Sequence, residues 1–84
     1  MKELRKQINE IDEKIIKLLI KRIDVIKKIG KFKKEAGLPI QDKKREKELK
    51  DRLKKIAGEK LSPKFIDAVY EVVLKECKKV QNKD

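Results

Sequence analysis

Histidine and tryptophan are absent from this 84-residue sequence, and cysteine occurs once, at Cys77. Without imidazole there is no histidine-based metal site or nucleophilic triad, and a single thiol excludes an internal disulfide. The aromatic residues are Phe32, Phe65 and Tyr70, all at positions that fall on apolar helix faces, which leaves no free series of rings for bases to stack on. No uninterrupted apolar stretch reaches the length of a signal-peptide core or a membrane span. The N-terminus, Met1-Lys2-Glu3-Leu4-Arg5, opens directly into a charged amphipathic pattern. A cytoplasmic chain with no membrane partner is expected.

What is present is charge. Asp, Glu, Lys and Arg make up 49% of the chain and hydrophobic residues 38%, with 26 basic residues against 15 acidic ones and a net charge of +11. The length allows one domain with one modest core. A strongly basic chain suits either a polyanion such as nucleic acid or a small anionic ligand drawn in by the surface field. Here the lysines are interspersed with acids along most of the chain, and the small ligand is the favoured reading.

Periodicity gives an all-α chain of three helices, over about 2–35, 43–57 and 63–82. In the first, Leu4, Ile8, Ile11, Ile15, Leu18, Val25, Ile29 and Phe32 recur at steps of four and three, a heptad period. Ile16, Leu19, Ile20, Ile23 and Ile26 widen the stripe, so this helix packs on more than one side. A rod of that length spans roughly 50 Å, whereas a compact chain of this size has a radius of gyration of about 12 Å. One chain cannot cover such a rod, and an intertwined homodimer built on it is expected. Ala36-Gly37-Leu38-Pro39-Ile40 ends the helix. Asp42 caps the second helix, whose stripe is Leu49, Leu53 and Ile56; Gly58 ends it, and Ser62-Pro63 starts the third. Ile66, Val69, Tyr70, Val73, Cys77 and Val80 mark the third helix's inner face.

The informative residues break these stripes. Arg22 occupies a seam position between Leu18 and Val25, where a lone guanidinium is costly unless paired or hydrogen-bonded. Its bland reading is a packed stem with the head in water, or a register-setting pair with an acid. Lys33 lies eleven residues on, at nearly the same azimuth, although lysines beside a seam commonly just cover it. Stepping back from Leu53 and Leu49 leads to Glu46 and then Asp42, where the helix dipole alone favours acids. Val73, Cys77 and Gln81 stack at four-residue spacing; such a cysteine is most often a small core residue, and such a glutamine a surface one. Together these positions put cations, an acid and an amide at one helical interior, a pocket suited to a small, multiply charged anion bearing a hydroxyl.

The run Leu4-Arg5-Lys6-Gln7-Ile8-Asn9-Glu10-Ile11-Asp12-Glu13-Lys14-Ile15 resembles the opening of all-helical chorismate mutases, Leu-Arg-x-x-Ile-x-x-Ile-Asp-x-x-Ile/Leu. The resemblance continues through Leu18-Leu19, Arg22 and Ile29-Gly30-Lys31-Phe32-Lys33. After the break, Pro39-Ile40-Gln41-Asp42-Lys43-Lys44-Arg45-Glu46 is similar to the family's Pro-Val/Ile-x-Asp-x-x-Arg-Glu. It is ungapped from Leu4 to about Leu53 and looser in the third helix. The family fold is an intertwined dimer of three helices per chain. The resemblance implies that Arg22 binds a substrate carboxylate in its own subunit and that Arg5 reaches across to a carboxylate in the partner's site. Lys33 and Gln81 would hydrogen-bond the ether oxygen. Glu46 would accept the ring hydroxyl, helped by the backbone near Asp42, and Arg45 would orient the acids and a carboxylate. Cys77 stands where many members carry serine.

The implied activity is the rearrangement of chorismate to prephenate, in the shikimate pathway toward phenylalanine and tyrosine, with no cofactor and no metal. One carbon–oxygen bond breaks as one carbon–carbon bond forms, so neither a nucleophile nor a proton carrier is required. Arginine–carboxylate forks suit the positioning task, and fixed cations suit charge developing on the ether oxygen. Other readings share these features: an isochorismate pyruvate lyase on the same fold, or a non-catalytic basic helical module for dimerisation or nucleic-acid binding.

Overall fold

The computed structural model describes residues 1–82, which form three helices: α1 (Lys2–Ala36), α2 (Lys43–Ala57) and α3 (Pro63–Asn82). No strand occurs among the described residues. The end of α1 and the starts of α2 and α3 each have a local cause. Gly37 adopts the left-handed conformation (φ 69°, ψ 25°), and its N–H donates to the Lys34 carbonyl while that of Leu38 donates to Lys33 at 2.8 Å. This pair of bonds is a Schellman stop, which satisfies carbonyls orphaned by the end of the helix. The Asp42 side chain accepts from the Arg45 N–H at 3.1 Å and caps α2. The Ser62 hydroxyl accepts from the Phe65 N–H at 3.1 Å and caps α3, with Pro63 in the first turn.

α3 packs against both α1 and α2, whereas α1 and α2 do not approach each other closely. The chain is therefore a three-helix arrangement with a gap between its first two helices. In α1 every residue up to Leu18 is exposed. From there the inward positions are Leu19, Arg22, Ile23, Ile26, Gly30 and Lys33, a stripe rotated by about one residue from the heptad seam. The seam itself stays open: Leu4 is 59% exposed, Leu18 64% and Phe32 64%. The long helix thus carries two apolar faces, one for its own α3 and one that its own chain leaves uncovered. In α2, Leu49 and Leu53 are half-buried, but Ile56, on the same predicted stripe, is exposed because no part of this chain lies over it.

Little of the chain is buried. Among the described residues the buried positions are Gly30, Ile66, Cys77 and Gln81. The molecule measures 52 × 25 × 16 Å with a radius of gyration of 15.5 Å, against about 12 Å for a compact chain of this length. Its accessible surface is 7542 Å², roughly 2,300 Å² more than a compact folded monomer of this size exposes. No helix is long and apolar enough to cross a membrane among the described residues.

Candidate active site

The gap between α1 and α2, floored by α3, is a cavity of about 390 Å³. α1 contributes Arg22 and Lys33, with Ile26 and Ile29 between them. The connection after the Gly37 stop brings in Ile40 and Asp42, and the first turn of α2 adds Arg45 and Glu46. Leu74, Cys77, Lys78 and Gln81 line it from α3, at spacings of three, one and three that share one helix face. The Asp42 cap matters here because it fixes where α2 begins, and so where Arg45 and Glu46 project.

Among the described residues four cations, Arg22, Lys33, Arg45 and Lys78, line this cavity with two acids, Asp42 and Glu46. The difference is two positive charges, which complements a small dianion. Arg22 Nη1 donates to the Cys77 sulfur at 2.8 Å, so the seam arginine is held inward by a thiol rather than by an acid. Lys33 Nζ donates to the Ile40 carbonyl at 3.0 Å, tying the far end of α1 to the connection that precedes α2. Glu46 pairs with Lys78 at 3.2 Å.

Gln81 is the least expected member. Spacing alone suggests a surface residue, yet it is 8% exposed and its Oε1 has no hydrogen-bond partner. Gly30 explains the burial. A Cβ built at that position would lie 3.1 Å from Gln81 Cγ and 3.4 Å from its Cα, so the glycine lets α3 approach α1 closely at this level. Buried polar atoms are rarely left unpaired, so this oxygen is a free acceptor on the cavity wall. A half-turn about χ3 presents the amide's N–H₂ instead of its oxygen.

On the exposed face of α2 the hydrogen bond from Lys47 holds the Asp51 carboxyl below its ordinary range, and the same bond raises the Lys47 ammonium.

Seven of the eight residues singled out from the sequence, Arg22, Lys33, Asp42, Arg45, Glu46, Cys77 and Gln81, line this one cavity. The eighth, Arg5, does not. It lies on a shallow cleft with Met1, Leu4, Ile8 and Asn9 near the start of α1, roughly 25 Å along the helix from Arg22 at the usual rise per residue. Lys78 and the Ile40 carbonyl were missed. Lys78 was legible as the residue four beyond Leu74 and three before Gln81. The carbonyl carries no side-chain signal at all.

A family profile described as chorismate mutase type II matches residues 4–82. A chorismate mutase of Methanocaldococcus jannaschii is 44% identical over 57 residues, 68% of this chain and 58% of that protein. A bifunctional chorismate mutase/prephenate dehydratase of Aquifex aeolicus is 33% identical over 87 residues, 99% of this chain and 24% of that protein. A protein of Pyrobaculum aerophilum named 3-dehydroquinate dehydratase is 36% identical over 78 residues, 93% of this chain and 23% of that protein. The chain thus spans 58% of the first relative's length and about a quarter of the other two. No solved structure gives a significant match. With the profile covering all three helices, from the exposed start of α1 to the cavity face of α3, the chain belongs to the type II chorismate mutase family.

Proposed function

We propose that this chain rearranges chorismate to prephenate, in the biosynthesis of phenylalanine and tyrosine. The observation that carries the reading is the convergence of Arg22, Lys33 and the Gln81 amide, its Oε1 unpartnered, on one cavity whose described residues carry two excess positive charges. Chorismate bears two carboxylates, a ring hydroxyl and an enolpyruvyl ether, and each has a complementary group there. Arg22 and Arg45 bind carboxylate, Lys33 and Gln81 face the ether oxygen, and Glu46 accepts the ring hydroxyl beside the backbone near Asp42. Cys77 holds the Arg22 guanidinium rather than touching the reacting bonds.

The chemistry asks for no more than these groups. The ether carbon–oxygen bond breaks as the new carbon–carbon bond forms, all atoms stay in one molecule, and no proton is transferred. Clamping the enolpyruvyl arm over the ring lowers the entropic part of the barrier. As the bond breaks, negative charge grows on the ether oxygen, where a fixed ammonium and an amide N–H strengthen their interaction. Lys33 Nζ donates to the Ile40 carbonyl; substrate exchanges that neutral acceptor for a developing oxyanion.

Two further parts complete the reading. The surface in excess of a compact monomer, together with the open heptad face of α1, supports a homodimer in which the two long helices cover each other. In such a pair each site takes Arg5 from the neighbouring copy, which accounts for its distance from the cavity of its own chain.

The test is to add chorismate to the purified chain in the presence of a chelator and follow prephenate. Prephenate at a rate abolished by excess transition-state analogue, with kcat lowered about 10²–10³-fold by Lys33→Ala, is the expected result. Salicylate and pyruvate from isochorismate, with chorismate untouched, would replace the mutase by the lyase. No turnover of either would leave a helical module without this chemistry.

A further inference from the structure

Three ion pairs cross the seam between α2 and α3, at residues 46, 50 and 54 of α2, one helical turn apart. Lys50 pairs with Glu71 at 3.3 Å and Lys54 with Asp67 at 2.8 Å, the lysine in each case on α2. At the rung that borders the cavity the polarity inverts: the acid, Glu46, is on α2, and the lysine, Lys78, is on α3. Holding two helices together does not require the inversion. Its consequence is chemical, because it places a carboxylate on the cavity wall with one oxygen, Oε2, engaged by Lys78 Nζ at 3.2 Å.

From this geometry we infer that Lys78 is a positioning residue for Glu46, a role that rests on the mutase reading above. The ammonium occupies one carboxylate oxygen and fixes the plane of the group, leaving Oε1 for the substrate's ring hydroxyl. It also offsets the charge of a carboxylate that would otherwise face a dianion unpaired, a repulsion that weakens binding. Both effects act on bound substrate and transition state alike, since neither the hydroxyl nor Glu46 takes part in bond breaking. Loss of Lys78 therefore falls on KM rather than on kcat.

Steady-state kinetics with chorismate on the full chain tests this, using Lys78→Met, with Lys78→Gln as a second neutral variant and Lys78→Arg as the conservative one. Circular dichroism confirms that each is helical. The neutral variants raise KM about tenfold with kcat changed less than about twofold, and Lys78→Arg recovers most of the loss. In a Glu46→Gln background the same Lys78→Met change moves KM less than about twofold, because the group it positions is no longer a carboxylate. Unchanged KM in a folded neutral variant overturns the inference and leaves the mutase reading intact. A KM effect that persists undiminished with Glu46→Gln also overturns it, since Lys78 then acts on substrate directly. Absence of turnover by the unsubstituted chain overturns both.

Discussion

At the scale of residues, the cavity depends on a position that has no side chain. Gly30 costs α1 about 1 kcal/mol of helix stability relative to alanine, and what it allows is the approach of Gln81 to within van der Waals distance of the α1 backbone. Gly30→Ala places a methyl group 3.1 Å from Gln81 Cγ, closer than carbon atoms normally pack, so the glutamine must give way. The helix gains what the contact loses, and thermal stability is expected to stay within about 1 kcal/mol of the parent. Catalysis does not share that compensation: kcat is expected to fall several-fold as the amide is pushed a few tenths of an ångström from its place, since such a group acts through its exact position. Parallel melting curves and initial rates check both halves. Arg22, Lys33 and Glu46 were visible in the sequence as polar residues at apolar or helix-start positions. Gln81 was not, because its burial depends on a glycine fifty-one residues earlier and on the helix crossing that the glycine permits.

At the scale of elements, the connection between α1 and α2 sets the site as firmly as the helices do. The Gly37 stop, Pro39 and the Asp42 cap turn the chain so that α2 starts beside the C-terminal half of α1, and Lys33 bonds back to the Ile40 carbonyl within that turn. Asp42→Ala removes the acceptor for the Arg45 N–H. A lost N-cap costs about 1 kcal/mol of stability, and here the first turn it frays carries Arg45 and Glu46. KM is therefore expected to rise several-fold with a lowered melting temperature, whereas Ser62→Ala, an equivalent cap loss at the distant start of α3, lowers the melting temperature and leaves KM unchanged. The contrast is read from two melting curves and two saturation curves. These caps and the glycine stop were legible because each depends on its immediate neighbours. The exposure of Ile56 was not, since spacing assigns a residue to a stripe without saying whether anything lies opposite. For the same reason the heptad pattern in α1 identified an apolar seam but not that the chain's own α3 would use a neighbouring stripe instead.

At the scale of the whole molecule, a 52 Å rod with its N-terminal half exposed and only a few buried residues beneath it leaves much of its apolar surface uncovered. The open seam of α1 and the remoteness of Arg5 from its own cavity are the two observations behind the proposed homodimer, a second copy laid along the first. In that proposal each site is built from both chains, with Arg22 supplied by one and Arg5 by the other. Mixing Arg5→Ala chains with Arg22→Ala chains, after denaturation and refolding together, tests most directly whether chorismate is rearranged in a cavity completed by a second subunit. Each variant alone has both sites damaged, while a mixed pair has one site with both arginines intact and one with neither. Random reassociation places half of the molecules in mixed pairs, so the mixture should regain about a quarter of the unsubstituted rate of prephenate formation. A mixture no more active than the average of its two inactive components would contradict the shared site.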